Sequence, residues 1–258
     1  MQGKNHFIIS LFFGIFLILL VYRTYHIDEV FLLILLFGMM TGSLIPDIDA
    51  TDASINHTRI NNDKGMNKFV FFTFINPIIS RVTNLMLRPF LFTMQKITDG
   101  GINEGHRGIT HSITGVFLIS LIWLIIVISI YYILYIFTSI ILKIPDLLFY
   151  LLAYPIGMFF GGLSHLFEDS FTVSGIRWFQ PFSNLRITGS IKTNYKNGHR
   201  HLINLKFREK EDIVAWYLII TTIISSIIFL IYDISVTLLS ILIFLIIAVI
   251  VWNVRIVI

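Results

Sequence analysis

Long apolar runs alternate with polar stretches along the chain, and this pattern predicts a bundle of membrane-spanning helices. A spanning helix needs about 20 consecutive apolar residues, and the runs approach or exceed that length. Proline and two aspartates at 46–49 end the second run, and Asp233 separates the last two. We predict an all-α fold, a polytopic membrane helix bundle with about six transmembrane helices, at residues 7–22, 30–46, 113–142, 147–167, 213–232 and 234–252.

The first run also has features of a signal peptide, because Lys4 precedes its apolar residues. A signal peptide ends in a cleavage site of small residues, whereas this run ends in Tyr-Arg-Thr-Tyr at 22–25. We therefore interpret the run as a membrane helix. In the fourth run, Gly157, Gly161 and Gly162 would let another helix approach closely.

Segment 69–94 is apolar but contains two arginines, two prolines and two asparagines, which make a full membrane span costly. Arg81 and Arg88 lie seven residues apart, so they fall near one face of a helix. We predict an amphipathic helix that lies in the membrane interface and does not cross the bilayer.

The composition agrees with a membrane protein and narrows the chemistry. Of 258 residues, 56% are hydrophobic and 13% are charged, whereas soluble domains carry about 25% charged residues. The apolar runs are continuous, so they predict helices and exclude the alternating pattern of an outer-membrane barrel. The chain has no cysteine, which excludes disulfides, thiolate metal sites and a cysteine nucleophile but leaves the redox compartment undetermined.

The basic residues predict the orientation in the membrane. With six spans, 17 of the 19 Lys and Arg fall on the side that holds both termini and the loops 47–112 and 166–212. The positive-inside rule then predicts that both termini are cytoplasmic and that the protein is a multi-pass protein of the inner (cytoplasmic) membrane. We interpret the basic loop 177–210 as a surface on anionic membrane lipid, and we expect no nucleic-acid partner.

Histidine and aspartate residues stand at the predicted cytoplasmic ends of four successive spans, while the middles of the spans are nearly free of ionisable groups. Two of these residues have the i, i+4 spacing that places both on one helix face. Imidazole and carboxylate without thiolate favour Zn²⁺, Mn²⁺ or Fe²⁺. The potential ligands, enough for two ions, are His6, Asp47, Asp49, His106, His111, His165 and Asp169.

Other residues near these ends have candidate roles in catalysis or simpler structural roles. Arg107 would suit a phosphate clamp, and the helix start near Thr110 would offer free main-chain N–H groups to an anion. A lone histidine at a membrane edge is usually structural, so His6 by itself is a weak candidate. Glu168 is expected to point away from the ligand face and to be solvated or salt-bridged. The loop histidines, His57, His199 and His201, are expected to be solvated, and Trp178, Pro181 and Phe182 to form an interfacial anchor.

Three motifs resemble the YdjM family. They are Leu-Ile-Pro-Asp-Ile-Asp at 44–49, His-Arg-Gly-Ile-Thr-His-Ser at 106–112, and Ser-His-x-x-x-Asp within 162–183. YdjM proteins are LexA-associated inner-membrane proteins described as metal-dependent hydrolases. The resemblance implies that all seven potential ligands, His6 included, bind metal, most simply zinc. A distant relation of the family to zinc-dependent phospholipase C implies a phosphoester substrate.

The chain also departs from the family pattern. Ala50 stands where the family commonly has histidine, the loop 51–103 is longer than usual, and Ile191 stands where the family tends to have glutamate. The last two spans carry no motif. We predict a hydrolase-like membrane domain at 1–183, a basic cytoplasmic loop at 184–212 and a C-terminal helix pair at 213–258.

Three functions compete at this point. The first is a metal-dependent hydrolase that cleaves a phosphoester, such as a phosphorylated lipid, at the cytoplasmic membrane face. The second is a non-enzymatic scaffold or regulator with a structural metal. The third is an ion transporter, which is disfavoured because transport sites lie near the bilayer midplane and these residues lie at helix ends.

Overall fold

The computed structural model describes residues 3–49, 76–97, 108–137, 146–191 and 205–257. Within these ranges the chain has seven α-helices, two short 3-10 helices and one two-stranded antiparallel sheet. The 3-10 helices are Pro46–Asp49 and Ile109–His111. The other elements are α1 (Gly3–Tyr25), α2 (Glu29–Gly42), α3 (Asn76–Ile97), α4 (Ile113–Phe137), α5 (Leu147–Asp169), β1 (Arg186–Thr188), α6 (Leu205–Ile231), α7 (Ile234–Val251) and β2 (Arg255–Val257).

Five of the described helices are long and apolar enough to cross a membrane, which confirms the all-α membrane helix bundle; they are α1, α4, α5, α6 and α7. The helix α2 is also apolar but has only 14 residues. The predicted second span, 30–46, therefore consists of α2 and a non-helical tail in which Ser43, Leu44 and Ile45 are buried. Main chain can leave the helical conformation in such a bundle where protein surrounds it.

The helices α2 and α5 pack with their main chains in close contact. Gly38 and Gly42 of α2 face Gly157 and Gly161 of α5, and a Cβ at any of the four would overlap a main-chain carbonyl oxygen of the other helix. On the next face of α5, a Cβ at Gly162 would collide with a valine side chain of α4. This confirms the predicted close approach, and small residues spaced four apart are the usual reason for it in membranes.

The helix α3 is amphipathic and is not among the described helices that are apolar enough to span. Its Thr83 is buried and accepts a 2.9 Å hydrogen bond from Trp123 Nε1 of α4. The opposite side exposes an apolar row of Ile78, Leu85 and Phe92. These properties are typical of a helix in the membrane interface, and that placement stays a prediction. Residues 69–75 of the predicted segment lie outside the described part of the chain.

Contacts at one end of the bundle bring both termini together. β1, which follows α5, pairs with β2 near the C-terminus, and the Ser190 N–H donates to the Trp252 carbonyl at 2.9 Å. Near the N-terminus, Lys4 Nζ lies 3.7 Å from Asp212 Oδ1 of α6. The first and last described residues therefore lie at the end of the bundle where α5 stops, as the predicted six crossings would require; the number of crossings stays a prediction. The side of the membrane on which this end lies stays a prediction.

The helix α6 begins at Leu205, earlier than the predicted span start at 213. The added turns contain Lys, Arg and Glu, which favour helix strongly enough for the helix to continue beyond its apolar part. An apolar cluster that includes Ile9, Phe171, Val214 and Ala248 joins α1, the loop after α5, α6 and α7. The domain limits at 183 and 212 stay predictions.

Candidate metal centre

Side chains from four parts of the chain meet at the end of the bundle where α5 stops. The structure brings together five of the seven potential ligands. In each of two overlapping groups of three, one ligand atom per residue lies within 4.8 Å of the other two. The groups are His6 with Asp47 and His165, and His111 with His165 and Asp169. Both groups could hold a metal ion.

The remaining candidates fall outside the described residues or have another environment. His106 and Arg107 lie outside the described part of the chain, and so does the side chain of Asp49. Thr110 is described and is buried next to His111. The metal-binding role of His106 and Asp49 and the phosphate-binding role of Arg107 therefore stay predictions.

Each histidine ring is held at Nδ1, so that its Nε2 faces the interior of the cluster. His165 Nδ1 lies 2.7 Å from the Ser43 carbonyl oxygen, and because a carbonyl only accepts, Nδ1 carries the proton. His6 Nδ1 lies 2.7 Å from Glu168 Oε2, and His111 Nδ1 lies 3.3 Å from Thr110 Oγ1. A partner at Nδ1 orients each ring and leaves Nε2 able to bind a metal ion, which is the usual arrangement of metal-binding histidines.

Within the groups, the pairwise distances between Nε2 atoms and carboxylate oxygens are close to those between ligands of one metal ion. His165 Nε2 lies 3.7 Å from Asp47 Oδ1 and 3.7 Å from Asp169 Oδ2. His6 Nε2 lies 3.7 Å from Asp169 Oδ1, and His111 Nε2 lies 3.1 Å from Asp47 Oδ1. At bond lengths of about 2.1 Å, tetrahedral ligand atoms lie about 3.4 Å apart. Since His165 Nε2 has one lone pair, it could bind only one ion, which would be common to both groups.

Two of the three inward-facing nitrogens lack a hydrogen-bond partner. His6 Nε2 and His165 Nε2 are buried and unpaired among the described residues, and the two rings stack with centroids 3.9 Å apart. Leaving a polar atom buried without a partner costs free energy. Coordination of a cation by both nitrogens would remove this cost, so the residues present fit a metal ion.

Glu168 was expected to be solvated or salt-bridged, and the structure shows the second alternative: its carboxylate pairs with His6 and borders the cluster. Its side chain is completely buried. Oε2 lies 2.7 Å from His6 Nδ1, and Oε1 accepts a 3.0 Å hydrogen bond from Ser164 Oγ. The sequence contained one signal for this position, the i, i+3 spacing from His165, which puts the two residues on adjacent rows of α5. The packing of α1 against that side of α5 buries it.

The helix start at Ile113 does not offer the free N–H groups that the sequence suggested. The N–H groups of His111, Ser112 and Ile113 donate to the carbonyls of Gly108, Ile109 and Trp178 at 2.9–3.1 Å. Trp178 thus supports the start of α4 in addition to any contact with the membrane. Hydrogen bonds within the protein therefore satisfy these three N–H groups, and they hold His111 next to the start of α4.

Asp47 marks the open side of the cluster. Its side chain is 19% exposed, whereas those of His6, His111, His165 and Asp169 are at most 1% exposed. Burial by itself raises the pKa of Asp47, but the imidazole rings of His165 and His111 beside its carboxylate outweigh this effect and lower the pKa of Asp47 well below its usual range. Asp47 therefore places an ionised carboxylate at the entrance, where it could bind a metal ion.

Comparison with known proteins gives one result for this chain. Neither the curated proteins nor the solved structures contain a match. A family model described as YdjM inner membrane protein matches residues 1–256, which is nearly the whole chain and includes every element of the cluster. The chain therefore belongs to the YdjM family of inner membrane proteins.

Proposed function

We propose that this protein is a membrane-bound, metal-dependent hydrolase that cleaves a phosphoester of a phosphorylated lipid at the cytoplasmic membrane face. The observation that carries the proposal is the pair of buried, unpaired nitrogens, His6 Nε2 and His165 Nε2, facing Asp47 and Asp169. Their nitrogen and oxygen donors suit Zn²⁺, with Mn²⁺ or Fe²⁺ as alternatives.

In this proposal the buried candidate ligands hold the ion, and Asp47 borders the position open to water and substrate. A divalent ion bound here would polarise a phosphoryl oxygen and help a water to attack phosphorus. His6, His165 and Asp169 are fully enclosed and form the floor of the site. Asp47 stands at the entrance, where its carboxylate can accept a hydrogen bond from an incoming water. We assign Thr110 a positioning role, because its hydroxyl contacts His111 Nδ1.

A scaffold with a structural metal is the second candidate, and the burial of four of the five ligand side chains favours it, since structural sites are closed. The exposure of Asp47 favours an open position and hence catalysis. A transporter fits less well, because the cluster lies where α1 begins and α5 ends, not in the middle of the helices.

The test uses the purified full-length protein. We expect about one bound transition metal per chain by elemental analysis, at the ion position shared through His165. We also expect metal-dependent release of phosphate or alcohol from lipid phosphoesters, lost on chelation and restored by adding Zn²⁺. Bound metal without hydrolysis of any lipid or soluble phosphoester would favour the scaffold, and absence of metal after loading would exclude both candidates.

Replacing Glu168 by glutamine should weaken metal binding by about 10-fold to 100-fold, the usual effect of altering a partner of a metal-bound histidine. The amide keeps the size of the side chain but makes a weaker acceptor for His6 Nδ1–H. Metal affinity would be measured by competition with a chromogenic chelator. The matched control is Glu29→Gln at the exposed start of α2, which should not change affinity. Equal affinities for both variants would contradict the role of Glu168.

A further inference from the structure

The helix α3 contacts the turn that carries Asp47. Asn84 Nδ2 of α3 donates a 3.4 Å hydrogen bond to the carbonyl of Ile48, the residue next to Asp47. Arg81 and Arg88 lie three residues before and four residues after Asn84, so all three occupy neighbouring positions on one side of the helix. This basic edge, Arg81 and Arg88, therefore borders the turn at the entrance of the cluster.

Both guanidinium groups of the basic edge are accessible to a ligand. The side chains of Arg81 and Arg88 are exposed, and within the described part of the chain neither has a hydrogen-bond or ion-pair partner. A guanidinium group matches two phosphate oxygens with parallel N–H bonds, which makes arginine the preferred side chain for phosphate recognition.

The same helix presents an apolar row beside the basic edge. Ile78, Leu85 and Phe92 recur every seven residues and are exposed by 60%, 65% and 59%. An apolar row next to arginines places a helix at the boundary between acyl chains and headgroups. A ligand that meets both rows has acyl chains and a phosphate, which a soluble phosphate ester lacks.

We propose that Arg81 and Arg88 bind the phosphate of an anionic phospholipid and hold it beside Asp47, so that the substrate of the metal centre is a membrane lipid that enters sideways along α3. This inference rests on the proposed function and adds the residues that hold the lipid phosphate beside the cluster. Two observations carry it jointly: the hydrogen bond from Asn84 to the Asp47 turn, and the location of the open side of the cluster at Asp47.

Lipid binding can be measured by an assay that does not depend on hydrolysis. Because the chain has no cysteine, a single Leu85→Cys variant can carry a fluorophore beside the basic edge. In full-length protein reconstituted in phosphatidylcholine, brominated phosphatidic acid should quench this fluorophore more strongly than brominated phosphatidylcholine. Arg81→Gln and Arg88→Gln should each lower this preference by about fivefold, the effect expected for one basic side chain at an anionic surface.

The control is Arg255→Gln, which removes one exposed charge in β2, away from α3. This control should keep the preference for phosphatidic acid. Equal quenching by the two lipids in the wild-type chain, or an equal loss in the control, would overturn the inference. Displacement of brominated phosphatidic acid by millimolar glycerol 3-phosphate would also overturn it, because the edge would then recognise a soluble phosphate ester.

A kinetic comparison then separates this inference from the proposed function. The double variant Arg81→Gln/Arg88→Gln should lower the ratio of kcat/KM for phosphatidic acid to kcat/KM for a soluble phosphoester by at least about tenfold. An unchanged ratio in an active, metal-bound enzyme would refute the lipid-binding edge alone. Absence of hydrolysis in the wild-type protein would refute the proposed function, while the fluorescence result would still decide whether the edge binds anionic lipid.

Discussion

Replacement of His165 by alanine should abolish metal binding and, with it, any hydrolysis. His165 Nε2 belongs to both groups of potential ligands and lies 3.7 Å from Asp47 and from Asp169. No other described histidine can take its place, because the rings of His6 and His111 are held by their own partners. Loss of a direct ligand should exceed the 10-fold to 100-fold effect of altering a hydrogen-bond partner of a metal-bound histidine, so we expect an affinity loss of at least about 1,000-fold.

Two controls distinguish the loss of a metal ligand from a loss of folding. His26→Ala removes an exposed histidine outside the cluster and should keep the metal content of the wild-type chain. Helical content and gel-filtration profile would be measured for both variants, because His165→Ala also leaves the Ser43 carbonyl without its partner. A folded His165→Ala protein with wild-type metal content would show that the cluster is a packing motif and would remove the main support for the enzyme.

Replacement of Gly161 by alanine should destabilise the bundle and weaken metal binding in the same variant. A Cβ at this position would overlap the main chain of Met39, so α2 and α5 would have to move apart. Overpacking of this kind costs about 1–3 kcal/mol. The metal centre is affected because Ser43, one residue after α2, supplies the carbonyl that orients His165. Thermal unfolding in detergent and chelator competition would measure the two effects.

Gly14→Ala in α1 is the matched control for this variant. Both substitutions place alanine in a helix, where it is favoured over glycine by about 1 kcal/mol. At Gly14, however, the added Cβ meets the end of the Leu36 side chain and the Met39 thioether, which can rotate away. We expect Gly14→Ala to keep the unfolding temperature and metal affinity. An equal response of the two variants would mean that the α2 and α5 contact does not set the geometry of the site.

The close contact between α2 and α5 therefore helps to set the geometry of the His/Asp cluster. Gly42 and Gly161 end the close contact, and within one helical turn beyond them lie Ser43 and His165. The short length of α2 has the same consequence, because it lets the main chain turn at Ser43 and present both its carbonyl and Asp47 to α5. A longer regular helix would carry these groups past the end of the cluster.

Hydrophobic periodicity in the sequence was enough to identify the membrane class, the approximate spans and the helix ends that carry histidine and aspartate. These are local properties: an apolar run must be satisfied by lipid or protein, and an i, i+4 pair such as His165 and Asp169 shares a helix face in any fold. The glycine spacing in α5 predicted a close neighbour for the same reason, although it did not identify α2 as that neighbour.

The tertiary structure alone decided which polar atoms are buried and what each contacts. The sequence left Glu168 either solvated or salt-bridged, because a single helix defines only the angles between its residues. The packing of α1 buries Glu168 and pairs it with His6. The tautomer of His165 depends on a carbonyl 122 positions away in sequence, and the N–H group of Ile113 depends on Trp178 in a distant loop. These contacts join residues that are far apart in the sequence. No local sequence pattern predicts them, so only the folded structure determines them.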